Sequence, residues 1–102
     1  MIPVDSLTAE LIENGRCSCV LSQNECLGSE SVHPVYCSNR WVCDAHIRSV
    51  TRMPEQASLA WWVRIASTMG LTPDRLKTKA DEYMQSHSCR YSDLCLVSFR
   101  IT

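Results

Sequence analysis

Seven cysteines and three histidines supply the side chains with the most distinctive chemistry in this 102-residue chain. Seven of these ten residues fall within thirty positions: Cys17, Cys19, Cys26, His33, Cys37, Cys43 and His46. Thiolates and imidazoles are the usual ligands of structural zinc, which takes four of them in a tetrahedron. The segment therefore predicts at least one bound Zn²⁺ ion, and the number of ligands allows two.

The most closely spaced pairs predict the first zinc site. One residue separates Cys17 from Cys19 and two separate Cys43 from His46, so each pair can reach one ion from a tight turn or a helix start. A turn joined through a hairpin to a pair at a helix N-terminus is the treble-clef arrangement. We expect that helix to follow Cys43, with Asp44 as its N-cap.

The remaining ligands predict a second site but leave its composition open. Cys26, His33 and Cys37 would supply three ligands, and either His87 or Cys89 could complete the tetrahedron. In an alternative, cross-braced arrangement, Cys37 would serve the first ion. Sequence order does not determine which ligands share an ion.

A disulfide scaffold explains the cysteines less well. Seven thiols do not pair off, and residues 1–15 carry acidic side chains where a secretory signal has a positive charge and an apolar run. We therefore expect a reducing, intracellular location, in the cytoplasm or the nucleus. No membrane contact is expected, because Arg64 interrupts the longest apolar run well short of a bilayer-spanning length.

The cluster is expected to be structural, not catalytic. Cys43 and His46 could act as the nucleophile and base of a thiol hydrolase. Residues at this spacing on one turn are more often co-ligands, and no oxyanion or substrate-cleft signature accompanies them. A His-Glu-x-x-His helix, the pattern of a catalytic zinc site, is also missing from the sequence.

Hydrophobic spacing predicts the elements that would position these ligands. Apolar residues at helical intervals, with Asp5 or Ser6 as N-cap and Gly15 at the end, predict a helix over residues 6–14. Further on, two short apolar segments flank the polar triplet Ser38-Asn39-Arg40, which predicts a β-hairpin.

Two further helices and a strand are predicted in the second half of the chain. Pro54 fits the first position of a helix that runs to Gly70, and Thr72-Pro73 marks the start of another that ends near Gln85. Their short connection predicts an antiparallel helical hairpin. Residues 95–101 alternate in polarity, as in a half-buried strand.

Together these elements predict one small α+β domain over residues 1–102. It would comprise a leading helix at 1–16, a treble-clef-like, zinc-stabilised lobe at 17–53, and a helical hairpin with a terminal strand at 54–102.

Composition and aromatic residues favour binding to a protein. Ten basic and eleven acidic residues give a net charge of −1, which offers no general attraction for nucleic acid. Trp61 and Trp62 point about 100° apart on a helix, and an exposed tryptophan is a common binding hot spot. We therefore expect a regulatory protein-interaction module of undetermined oligomeric state. The alternative is a nucleic-acid-binding zinc finger in transcription or RNA regulation, using Arg40, Trp41, Arg48 and Arg52.

Two segments resemble the N-terminal leader protein of arterivirus replicases, in which a zinc finger precedes a papain-like domain. The residues are Arg16-Cys17-Ser18-Cys19 with Val35-Tyr36-Cys37, and Leu71-Thr72-Pro73-x2-Leu76-Lys77 with Cys89-Arg90-Tyr91. The resemblance implies zinc bound by Cys17, Cys19, Cys43 and His46, and a viral regulatory protein that acts on host factors and viral RNA synthesis through protein contacts.

The same comparison implies no protease activity, because nothing here resembles the catalytic Cys-Trp element of that family. Cys43-Asp44-Ala45-His46 is also similar to the end of cellular treble-clef fingers, the AN1 type included.

Overall fold

Five strands, three α-helices and one 3₁₀ helix make up the described part of the chain, residues 1–23 and 31–101 of a computed structural model. The strands are β1 (Ile2–Pro3), β2 (Cys19–Ser22), β3 (Val32–Cys37), β4 (Arg40–Arg52) and β5 (Cys95–Ile101). The helices are α1 (Ser6–Glu13), α2 (Leu59–Thr68) and α3 (Pro73–His87), and the 3₁₀ helix covers Tyr91–Asp93. The fold is a small α+β arrangement, as expected.

Helix α1 lies where local signals predict it. The Asp5 carboxylate accepts a hydrogen bond from the backbone N–H of Thr8 at 2.8 Å, which satisfies one free donor of the first turn. Gly15 follows the helix with a φ of +71°, a left-handed conformation that glycine adopts without a steric cost. The helix predicted over residues 6–14 is confirmed to within one residue.

Strand β4 occupies the position of the helix predicted after Cys43. It pairs with β3 along one edge and with β5 along the other. Cys43, Ala45 and Ile47 are buried and the residues between them are not, which is the two-residue period of a strand. Pairing on both edges satisfies the backbone groups and outweighs the capping tendency of Asp44. The prediction of a treble-clef helix here is wrong.

The strand order is β1-β3-β4-β5-β2, with β1 parallel to β3 and all other neighbours antiparallel. The predicted hairpin is confirmed as β3 and β4, joined by a turn in which Ser38 has a φ of +55°. The pairing register shifts between Val35 and Tyr36 and again between Ile47 and Ser49. Such bulges increase the local twist of a sheet.

Helices α2 and α3 follow, although α2 begins later than predicted. Pro54 lies outside α2, because the Ser58 hydroxyl supplies the N-cap and accepts a backbone N–H of the first turn at 3.1 Å. Thr72 caps α3 in the same way, Pro73 is its first residue, and the helix ends at His87. No helix in the described residues is long and apolar enough to cross a membrane.

Two apolar clusters cover opposite faces of the sheet. The first, named the α1 core, contains Ile2, Ile12, Cys17, Val20, Val35, Cys43, Ala45, Ile47, Val97 and Phe99. The second, named the hairpin core, contains Cys19, Met53, Ala66, Met69, Leu76, Ala80, Leu94 and Leu96.

Strand β5 contributes to both clusters. Val97 and Phe99 lie in the α1 core, whereas Leu96, the residue before Val97, lies in the hairpin core. The strand predicted for residues 95–101 is therefore present, but it is covered on both faces over Cys95–Val97 instead of being half-buried.

Candidate functional site

The structure places the four residues of the predicted first zinc site in three different surroundings. Cys17 and Cys43 are buried in the α1 core, whereas Cys19 is buried in the hairpin core. His46 follows Cys43 by three positions on β4, so its side chain points to the opposite face. There Arg100 Nε donates a hydrogen bond to His46 Nδ1 at 3.2 Å. The fold does not bring these four side chains together.

The second predicted set of ligands is also dispersed. His33 and Cys37 lie on β3, where His33 Nε2 is 3.0 Å from the hydroxyl of a neighbouring serine. Cys89 follows α3 and packs against the hairpin core, and His87 stacks on a tyrosine of α3. Cys26 lies outside the described residues. Within residues 1–23 and 31–101, no three Cys, His, Asp or Glu side chains form a group that could hold a metal ion.

The buried thiols have the properties of core residues. Burial raises the pKa of Cys17 and Cys43, and burial together with the nearby Cys17 raises the pKa of Cys19 to about 12. A nucleophilic cysteine is a thiolate, favoured by a lowered pKa. Cys17 Sγ instead donates a hydrogen bond to the Cys19 carbonyl oxygen at 3.2 Å. Cys43 and His46 lie on opposite faces of β4, so this arrangement does not pair them as nucleophile and base.

Helix α2 leaves much of its apolar surface uncovered. Ala66 is its one fully buried residue, and Trp61 and Trp62 are half-buried against the hairpin core. Leu59 and Val63, one turn apart, are 69% and 51% exposed. Both are apolar residues that helical spacing assigns to the buried side, so no pattern in the sequence predicts their exposure.

The two tryptophans predicted to bind a partner are held in place by ring contacts. Their centroids are 5.1 Å apart and their planes are nearly perpendicular, at 88°. This edge-to-face arrangement is favourable for aromatic pairs. Lys77 Nζ lies 5.4 Å from the centroid of the Trp62 ring, within range of a cation–π interaction. Trp61 and Lys77 therefore both contact the Trp62 ring, and Leu59 and Val63 lie three residues before and one residue after it in α2.

The four residues of the nucleic-acid alternative are spread along β4. Arg40 forms an ion pair with Glu13 of α1 at 2.6 Å. Trp41 is the next residue of the strand and therefore points to the other face of β4. There its indole Nε1 donates a hydrogen bond to the Asp44 carboxylate at 3.0 Å. Arg48 lies in the register shift of β4 and Arg52 at the end of the strand. Arg40, the nearest of these arginines in sequence, therefore lies on the other face of β4 from Trp41.

A cavity of about 480 Å³ lies between α3 and the two edges of the sheet. Pro3 and Val4 line it from the β1 edge, and Val20 and Leu21 line it from β2. Because β1 and β2 are the outermost strands on opposite sides of the sheet, the sheet must curl for both edges to reach one cavity.

Lys79 links α3 to α1 at this cavity. Its ammonium group donates hydrogen bonds to the Asp5 carboxylate and, at 3.2 Å, to the Thr8 hydroxyl. Burial would raise the pKa of Asp5, but the hydrogen bonds from Lys79 and Thr8 outweigh it and lower that pKa below its usual value. Asp5 is therefore ionised at neutral pH. The one sequence signal for this cavity is the polar stripe of α3 that Lys79 shares with Tyr83 and Ser86.

Comparisons with known protein families, with curated proteins and with solved structures find no match to this chain. The resemblance to arterivirus leader proteins stays a prediction.

Proposed function

We propose that this protein is a regulatory protein-interaction module that binds through one side of α2. The observation that carries the proposal is the exposure of Leu59 and Val63 beside the half-buried Trp62. We call these three residues the α2 surface. Contiguous exposed apolar side chains are typical of protein-binding sites, and tryptophan is enriched among binding hot spots.

The α2 surface is suited to binding because its central ring is already fixed. Trp62 contacts Trp61 edge to face and has the Lys77 ammonium over its ring. A side chain ordered before binding loses less conformational entropy in the complex than a free one. The surface can therefore bind a partner without first reorganising.

The occupant that fits this surface is an amphipathic helix with acidic residues along one flank. Leu59, Trp62 and Val63 follow the i, i+3, i+4 spacing with which one helix packs on another. Lys77 is exposed at the edge of the surface and provides a positive charge there. An acidic side chain on the partner helix would complement it.

A matched pair of double variants tests the proposal. Leu59→Ser with Val63→Ser removes the exposed apolar groups of the α2 surface. Val32→Ser with Ile101→Ser removes equally exposed apolar groups, at 54% and 49%, from the sheet. A partner captured by the native protein is purified and titrated against both. We expect the α2 variant to bind about tenfold more weakly or worse and the sheet variant to bind normally.

The proposal fails if the α2 double variant, shown to be folded by circular dichroism, binds the purified partner with native affinity. Lys77→Glu addresses the charge separately. It should weaken binding of a partner with an acidic flank, and more salt should reduce the difference from the native protein.

Structural zinc remains a separate proposal, supported by the number and spacing of the cysteines and histidines. Binding by Cys17, Cys19, Cys43 and His46 would require β4 to rearrange, because two of its residues three positions apart face opposite ways. Native mass spectrometry with and without a chelator measures the metal directly. The zinc proposal fails if the purified protein has a metal-free mass and unfolds cooperatively, and if the chelator changes neither property.

Nucleic-acid binding stays the alternative function predicted from Trp41 and the arginines of β4. Phosphate contacts would make such binding fall steeply with salt. A mobility-shift series with single-stranded and double-stranded probes that shows no complex at low salt removes it.

A further inference from the structure

The cavity between α3 and the sheet edges is lined by both apolar and polar side chains. Val4, Val20, Leu21 and Met69 supply apolar side chains. Its volume of about 480 Å³ falls within the usual range for pockets that bind small molecules. The cavity is separate from the α2 surface, since Leu59, Trp62 and Val63 do not line it.

Lys79 is a polar group of the cavity lining that can still donate a hydrogen bond. Its side chain is only 17% exposed, and its ammonium group has three N–H donors. Two of them bond to Asp5 and Thr8. Among the residues that the structure describes, no acceptor is found for the third. A ligand atom that accepts a hydrogen bond would satisfy it.

The charges around Lys79 determine what kind of acceptor fits. The Asp5 carboxylate already neutralises the ammonium group, and Glu82 adds a second carboxylate to the cavity lining. A ligand carboxylate would therefore face two negative charges and one positive charge, and a ligand ammonium has no acceptor atom for the third N–H of Lys79. An uncharged carbonyl or hydroxyl oxygen can accept the free N–H without that repulsion.

We propose that this cavity binds a small, uncharged, mostly apolar molecule through a carbonyl or hydroxyl oxygen that accepts a hydrogen bond from Lys79. The apolar body of the ligand lies against Val20, Leu21 and Met69. The oxygen lies at the end where Lys79 joins α3 to α1.

Four probes with the same two-ring body separate the possible head groups. Benzophenone carries a neutral carbonyl, diphenylmethane has no acceptor, diphenylacetate is an anion and benzhydrylamine is a cation. Each is titrated into isotope-labelled protein and followed by the amide NMR shifts. At ordinary ligand efficiency we expect benzophenone to bind with a Kd of about a millimolar. Its shifts should centre on Val20, Leu21 and α3, and the other three probes should bind several-fold more weakly.

Two variants place the ligand in the cavity. Lys79→Met keeps the length of the side chain but removes the donor, so benzophenone should bind about tenfold more weakly and lose its advantage over diphenylmethane. Arg75→Met, at an exposed position of the same helix outside the lining, is the matched control. Ser86 is an exposed residue of the cavity lining, so Ser86→Trp should fill the cavity mouth and abolish binding. This second variant tests the site independently if Lys79→Met proves unstable. Photolysis of bound benzophenone should label Met69.

Several results would overturn the proposal. Tighter binding of diphenylacetate or benzhydrylamine would show that a charged ligand is preferred. Equal binding of diphenylmethane and benzophenone would show that Lys79 donates nothing. Shift changes that survive Ser86→Trp, or no binding of benzophenone up to its solubility limit, would show that the cavity is not the site.

Discussion

Replacing Cys43 by alanine and by serine distinguishes a core thiol from a zinc ligand. The side chain is 6% exposed and lies in the α1 core. Alanine removes the sulfur, which costs about 0.8 kcal/mol for lost burial plus roughly half as much for the void. Serine also places a hydroxyl in an apolar site, which adds about 1 to 3 kcal/mol. We therefore expect alanine to destabilise the protein by about 1 kcal/mol and serine by distinctly more.

A zinc ligand would behave differently at the same position. Either substitution would then remove one of four ligands, and structural zinc contributes on the order of 10 kcal/mol to folding. That is comparable with the whole stability of a domain, about 5 to 15 kcal/mol. Both variants would lose the fold to the same extent.

Urea unfolding followed by circular dichroism measures these differences as free energies of unfolding. Cys37→Ala, at a half-buried cysteine of β3, serves as the control and should change the stability by less than the Cys43 variants. Equal, complete unfolding of both Cys43 variants, with loss of zinc from the purified protein, would refute the assignment of Cys43 to the core.

Three further predictions concern stability. Gly15 and Gly70 both have positive φ, but a Cβ atom at Gly70 would lie 3.0 Å from the Arg16 carbonyl oxygen, whereas one at Gly15 would meet open space. Gly15→Ala should therefore lower the free energy of unfolding, measured in urea, by about 1 kcal/mol, and Gly70→Ala should lower it by more. Burial raises the pKa of Cys19 from 9.0 to about 12, so the folded state holds this proton more tightly than the unfolded state. Cys19 should not affect stability below pH 9, and above it should lower stability by up to about 1.4 kcal/mol per pH unit. Alkaline urea titrations should find a smaller loss in Cys19→Ala, in which Cys17 and Cys43 still have a raised pKa. Ser58→Ala removes the N-cap of α2 and should cost about 1 kcal/mol, with faster amide exchange confined to that helix.

Elements with local start and stop signals could be predicted from the sequence. The carboxylate of Asp5 and the left-handed Gly15 bound α1, and Thr72 followed by Pro73 begins α3. Each signal acts within one turn of helix, so no distant residue is needed to interpret it. The start of α2 was misplaced because Pro54 is compatible with a helix start, whereas Ser58 supplies the capping oxygen.

The central strand could not be predicted in the same way. Asp44 is a good N-cap by type, and only the strand partners on both sides of β4 prevent a helix there. The alternation of Cys43, Ala45 and Ile47 was visible in the sequence. It does not by itself predict a strand, because cysteine is both an apolar core residue and a metal ligand, and spacing alone does not separate the two roles.

The candidate sites depended even more on distant contacts. Trp61 and Trp62 could be identified from sequence as unusual, but the exposure of Leu59 depends on how α2 packs. The cavity joins side chains from the start of the chain, from β2 and from α3. Lys79 and Asp5 have no pattern in common along the sequence, so only the folded chain shows that they form an ion pair.

The position of β5 between β4 and β2 also has a consequence for how the protein folds. The β3–β4 hairpin and the two helices after it can form from neighbouring residues, but the pairing of Cys19 with Ser98 joins positions nearly a chain length apart. Closing so large a loop is entropically costly, and proteins rich in such contacts fold slowly. The docking of β5 is therefore expected to limit the folding rate. Until it occurs, the backbone edges of β2 and β4 stay unpaired and open to association with other chains.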